Sequence, residues 1–137
     1  GSELDGRTIP YDASLEGLVS KKKDFIGKRS LNRSAFTSTD REKLVGVVPI
    51  DKTTSIPEGS YIVKDPKAKL PNPKLGHVSA SCWSVEYDNP FSLAIIKDGK
   101  NMIGQKLFAM SPLKNKTIPV EIVSSHYVDP EGKRVRS

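Results

Sequence analysis

Few residues in this chain could do chemistry, and their spacing limits what that chemistry could be. Cys82 is the only cysteine and His77 and His126 the only histidines among 137 residues. One thiol cannot form an internal disulfide, and two distant imidazoles offer few ligands for a metal site. Cys82 lies in an alternating run beside Trp83 and reads as an inert, packed thiol, since a reactive one needs an electropositive, accessible setting. The two histidines read as separate, satisfied structural groups. Asp40 and Glu42 form an acid pair at a loop edge, where solvation is the simplest reading. Lys21, Lys22 and Lys23 make the one tight basic run and read as a solvated edge. There is no glycine-rich phosphate loop, nucleophile elbow or paired Cys-x-x-Cys spacing. The residues therefore predict no catalytic and no metal-binding constellation; the expected role is to help bind something rather than transform it.

Composition sets the class. Hydrophobic residues make up 36% and charged residues 28% of the chain, the proportions of one globular domain with a modest core. The net charge of +6 attracts polyanions of any kind without selecting one. No apolar run approaches the ~20 residues that span a bilayer, and no secretory leader is visible. With its single cysteine, the chain is expected to be cytoplasmic. Gly1 and Ser2 are either the remnant of a cleaved expression tag or native residues.

The elements that must position these residues are mostly strands. Residues 1–20 read as an extended connection with turn chemistry at Asp5-Gly6 and Pro10. Asp24 is placed to cap a short helix over Phe25 to Leu31, which Gly27 weakens. Strands are expected over Lys43–Ile50, Ser60–Lys64, His77–Ser84, Phe91–Lys97, Gln105–Met110 and Thr117–Ser124. Gly46 inside the first signals a bulge or a close backbone approach, and Pro119 places the start of the last at an edge. Pro57-Glu58-Gly59 is a turn, and the loop from Asp65 to Lys74 is stiffened by Pro66, Pro71 and Pro73. Asp98-Gly99 between apolar runs signals a hairpin. Six strands with one brief N-terminal helix predict an all-β antiparallel barrel or sandwich. A basic barrel of this size could bind single-stranded nucleic acid, but aromatics are only 7% and form no alternating platform, so no nucleic-acid partner and no membrane partner are expected.

Several stretches carry a family resemblance. Ser20 to Leu31, with its core Asp24-Phe25-Ile26-Gly27-Lys28-Arg29, is similar to the segment that follows the folate-binding domain in glycine cleavage T-proteins, dimethylglycine dehydrogenases and sarcosine oxidases. Asp5 to Ser14 resembles the linker leaving that domain. Leu75 to Ser81 and Pro90 to Ile96 keep the family order, and Tyr127 to Arg134 looks most like sarcosine oxidase alpha subunits. The resemblance runs from about Asp5 to Arg136. It departs over Leu15–Val19, which lacks an aromatic residue that T-proteins often carry.

The resemblance implies an aminomethyltransferase C-terminal domain, a distorted Greek-key antiparallel β-barrel over residues 21–137, with residues 1–20 connecting it to an upstream folate-binding domain. It implies a share in a tetrahydrofolate cavity, with flavin and NAD confined to other domains or subunits of the parent enzyme. In that parent, sarcosine becomes glycine with formation of methylene-tetrahydrofolate; a fragment such as this one is not expected to act alone. Tyr127 matches a family aromatic that reaches toward folate. Ser79 and Ser81, flanking a turn expected after Gly76, offer hydroxyls to the same ligand. Tyr11 and Asp12 are expected to pack against the upstream domain.

Overall fold

The computed structural model describes residues 3–68 and 73–136. Pro71 and the Gly1-Ser2 pair lie outside the described residues. Six antiparallel strands form a closed barrel: β1 (Glu42–Pro49), β2 (Tyr61–Val63), β3 (Lys74–Ser84), β4 (Asn89–Lys97), β5 (Lys106–Ser111) and β6 (Lys116–Val123). Around the barrel the order is β1-β4-β3-β2-β5-β6, with β6 closing onto β1. Three hairpin-joined strands, β2-β3-β4, therefore have β1 returned beside β4, which is Greek-key connectivity. All six strands fall where the sequence places them.

Alternation fills the inside. Val45 and Val47 of β1, Ala94 and Ile96 of β4, Leu107 and Ala109 of β5, and Ile118, Val120 and Ile122 of β6 form one buried cluster with Ile62 and Val78. These are mostly β-branched side chains that fit a pleated surface, and each fully buried one contributes roughly 1.5–3 kcal/mol. Ile56, from the connection between β1 and β2, joins the same cluster. The crossover from β4 to β5 packs Gly99 against Val45, while Met102 rests on the core.

The barrel closes only where side chains give way. A Cβ on Gly46 would stand 2.6 Å from the Ser124 carbonyl oxygen, 2.7 Å from the Phe91 ring and 2.8 Å from Val123. The close approach expected at Gly46 is thus present. Gly76 is tighter still, since a Cβ there would run into the Ile95 backbone. In β3 the register shifts between Val78 and Ala80, leaving Ser79 as the extra residue of a bulge. Ser79 and Ser81 therefore lie within a strand and do not flank a turn.

Other expectations need correction. Asp98 adopts φ 51° and turns the chain, but Asp98-Gly99 makes no hairpin; it opens a short 3-10 turn, Gly99–Met102, and β4 and β5 are not neighbours. No helix spans Phe25 to Leu31. Gly27 sits at φ 93°, outside helical space, and the chain makes a 3-10 turn at Ser30–Asn32 followed by the one-turn helix α1 (Ser34–Thr37). Pro119 ends the ladder with β1: its carbonyl accepts from the Ile50 amide at 3.0 Å, but without an N–H it cannot return the bond, and the paired residues stop at Val120. Cys82 is exposed rather than packed, because its place in β3 turns it to the outer face opposite Phe91.

The lead segment is tied to the barrel. The Asp12 carbonyl accepts from the Leu44 amide at 2.6 Å, and the Ser14 hydroxyl donates to the Leu44 carbonyl at 2.8 Å. The Asp12 side chain is only 8% exposed. It accepts from Arg41 Nε at 3.0 Å, from the Arg41 terminal nitrogen, from Lys43 Nζ at 3.0 Å and from the Ile9 amide at 3.1 Å. Arg41 also donates to the carbonyls of Arg7 and Ala35. Asp12, expected to face an upstream domain, is instead the pin that fixes residues 7–14 to the start of β1. Burial pushes its carboxyl upward, but the Arg41 and Lys43 hydrogen bonds outweigh that and hold it below the usual range.

Two predictions follow from this packing. Gly46→Ala should lower unfolding free energy by about 2–3 kcal/mol, measured by urea denaturation, because both the Ser124 backbone and the Phe91 ring must shift. Asp12→Asn should cost about 2 kcal/mol at neutral pH by leaving two half-buried cations under-paired. A carboxyl depressed in the folded state stabilises it fully above about pH 4 and loses that contribution as pH falls through the lowered folded value. The acid limb of a pH–stability curve should therefore be shallower in Asp12→Asn than in the parent chain; superimposable limbs would rule the pin out.

Candidate functional site

Tyr127 lies on the outer face of the barrel, four residues past the end of β6. Its ring stacks on Phe91, with centroids 4.9 Å apart and planes 9° from parallel, and it meets Tyr87 at 4.6 Å. The small residue at Gly46 leaves Phe91 room to lie against the strand backbone. Asn89, at the start of β4, donates its side-chain amide to the Tyr127 hydroxyl at 3.3 Å. Asn89 is 4% exposed, and its amide oxygen is buried with no hydrogen-bond partner among the described residues. Nearby, Arg134 grips Glu86 through two hydrogen bonds of 2.9 and 2.5 Å, and Arg134 holds the Glu86 carboxyl below its ordinary range. The C-terminal segment is thus strapped across the turn between β3 and β4 by stacking at Tyr127 and an ion pair at Arg134.

The two serines face elsewhere. Because of the bulge, Val78 and Ser81 point to the same inner face although three residues apart, opposite the buried Ala94 and Ser92. The Ser81 hydroxyl donates to the Ile56 carbonyl at 2.7 Å and meets the Ser92 hydroxyl at 2.9 Å. It holds the Ile56 plug in the barrel. Ser79 donates to the Leu93 carbonyl at 3.2 Å. Its hydroxyl also reaches Glu3, whose carboxyl is held low first by its own backbone amide and then by Ser79. Tyr127 and the serines do not converge: the phenol is outside the wall and Ser81 inside it.

A cleft of about 300 Å³ opens between the lead segment and the barrel, lined by Glu3, Arg7, Asp12, Arg41, Glu42 and His77 among others. The His77 ring is half-buried and has no hydrogen-bond partner among the described residues. His126 lines a different cleft, and its ring nitrogen lies 3.4 Å from the Ser125 hydroxyl. Asp40 and Glu42 are both exposed, and Asp40 accepts from Ser38. No group of three or more His, Cys, Asp or Glu that could hold a metal ion occurs among the described residues. No helix among them is long and apolar enough to cross a membrane.

Sequence reasoning did not find Asn89, Tyr87 or Phe91. Asn89-Pro90 reads as a turn pair and hides a buried amide, while Tyr87 and Phe91 lie on either side of that turn. Their spacing around a hairpin tip was the available signal. It becomes legible only when the strand pairing puts Phe91 beside the C-terminal segment.

The fold and its neighbours agree with known proteins. Along 98% of its length the chain is 37% identical to a sarcosine oxidase subunit alpha of Corynebacterium sp. (strain P-1) and 34% identical to one of Rhizobium meliloti (strain 1021). It spans only 14% of the length of either relative. An aminomethyltransferase of Thermosipho melanesiensis is 27% identical over 90% of this chain and 31% of its own. The crystal structure of glycine cleavage system aminomethyltransferase T from Bartonella henselae superposes with a TM-score of 0.69, covering 93% of this chain and 34% of that one, at 20% identity. Residues 42–129, which take in all six strands and reach Tyr127, match the family described as the glycine cleavage T-protein C-terminal barrel domain, and the chain belongs to that family.

Proposed function

We propose that this barrel works as the C-terminal accessory domain of a tetrahydrofolate-dependent one-carbon enzyme of the sarcosine oxidase alpha kind. In this reading residues 1–20 lead in from an upstream folate-binding domain, residues 21–137 form the barrel, and the parent works in the cytoplasm. The parent would convert sarcosine to glycine with formation of methylene-tetrahydrofolate, while flavin and NAD would sit on other domains or subunits. The supporting observation is a likeness to sarcosine oxidase alpha subunits along 98% of this chain that occupies only 14% of those proteins.

The residues of this chain do not fit a complete folate pocket. The Ser79 and Ser81 hydroxyls are engaged by backbone carbonyls, and Tyr127 lies on the other side of the barrel wall. The pterin would therefore be held upstream, and this domain would supply wall and interface. Tyr127 retains the best claim to touch the ligand, through a phenol edge that a carboxylate or ring could meet. Exposed apolar side chains favour an interface: Ile26 is fully exposed at 104%, Leu18 is 80% exposed, and Leu4, Leu15 and Phe25 accompany them along residues 4–26.

Calorimetry separates the possibilities. A stable folate analogue should give no heat of binding with this chain alone and a saturable signal once the upstream domain is added. Tyr127→Phe, which keeps the ring stack, should weaken that signal about three- to tenfold. If the two pieces associate and still bind no folate, the folate assignment falls and a structural domain remains.

A further inference from the structure

Half of this chain's charge excess is concentrated in one loop. Residues 21–28 carry four lysines against the single Asp24, an excess of three in a chain whose net charge is +6. Lys21, Lys22 and Lys23 have no ion-pair partner among the described residues. They line a cleft of about 850 Å³ between the lead segment and the following loop, together with Lys28, Tyr11 and Phe25. That volume lies within the about 300–1,000 Å³ of small-molecule sites. The one carboxylate on its rim, Glu16, is already taken by Lys100.

The loop is built rather than loose. The Lys28 ammonium reaches back to the carbonyls of Lys23 at 2.7 Å and Lys21 at 3.3 Å, and the Lys23 amide donates to the Ser20 hydroxyl at 2.9 Å. The positive φ of Gly27 makes this return possible. Three exposed lysines without ion-pair partners among the described residues thereby line one concavity whose wall includes Tyr11 and Phe25. A pre-set arrangement of like charges repels itself and is relieved by an anion that meets several of them at once. A single carboxylate would not suffice. Nor does the cleft suit a nucleic-acid strand, because Tyr11 and Phe25 share one concavity rather than forming a row of stacking platforms.

We propose that this cleft binds a compact small-molecule polyanion bearing three or more carboxylates or phosphates. Lys21, Lys22 and Lys23 supply the charge; Lys28 is a positioning residue that shapes the loop.

Titration of this chain with inorganic tripolyphosphate and, separately, with a triglutamate peptide tests the proposal and tells phosphate from carboxylate. Binding of at least one probe at low salt is expected, weakening when salt is raised to about 0.3 M. The triple variant Lys21→Ala, Lys22→Ala, Lys23→Ala should lose about tenfold or more in affinity with its melting temperature unchanged. Removing the same charge from the exposed β5–β6 hairpin, by Lys106→Ala, Lys114→Ala and Lys116→Ala, should change affinity by less than about twofold. Equal losses in the two triples would overturn the proposal, as would failure of the parent chain to bind either probe at low salt. Tighter binding of single-stranded oligonucleotides, increasing with their length, would overturn it in favour of a nucleic-acid surface. A monoglutamyl folate analogue carries only two carboxylates and is not expected to bind the barrel alone, so this test and the folate test fail independently.

Discussion

A barrel of six strands encloses so little space that its interior must be filled by its own side chains, and that constraint governs the rest of the molecule. Valine, isoleucine and alanine occupy nearly every inward position. Where even these are too large, the chain uses Gly76, or opens a bulge at Ser79 that bends β3 around the circumference. Closure also removes the free edges through which a six-stranded sheet would pair with another chain. The barrel's interior is taken up by its own side chains. Polar groups that point inward, such as Ser81 and Ser92, bind each other and the Ile56 plug.

Segments laid across the outside of the barrel line the clefts that the described residues form. Two such segments are fixed by different physics. The lead segment is held by charge, with Asp12 satisfied by Arg41, Lys43 and the Ile9 amide in a nearly buried setting where losing one partner is costly. The C-terminal segment is held by ring stacking at Tyr127 on Phe91 and by the exposed Arg134–Glu86 pair, which salt screens. The first is a firm anchor, and the second can release more readily. An exposed ion pair of this kind contributes about 0–1 kcal/mol, so the aromatic stack carries most of the strap.

The fold was legible because its signals are local. β-branched runs between turn residues placed all six strands, and Gly46 and Pro119 carried their meaning in their own backbone chemistry. What failed depended on partners distant in sequence. Asp98-Gly99 has hairpin chemistry, yet β4 ends beside β1 and the chain must cross to reach β2. The Asp24 cap had a plausible helix after it, but Gly27 takes a positive φ and Lys28 ties the loop backward. Asp12 looked outward-facing because Arg41 and Lys43, its partners, lie about thirty residues away. Cys82 was misread because the bulge two residues into the pattern shifts which side of β3 faces the core.

The candidate site was less legible for a related reason. A ligand-binding residue in an enzyme core betrays itself by an unusual residue type in a typical place, whereas here the relevant groups are ordinary residues in unusual places. Asn89 is a common turn residue, and only the folded chain shows its amide buried against the Tyr127 hydroxyl, its oxygen without a partner among the described residues. Lysines 21–23 are exposed, as a solvated run should be, and only the folded chain shows the Lys28 ammonium binding the carbonyls of the same loop beside a cleft. The Ser79 and Ser81 hydroxyls commit their protons to the Leu93 and Ile56 carbonyls. In a closed barrel, burial consumes polar valences, so the residues best placed to meet a partner are those the core could not use.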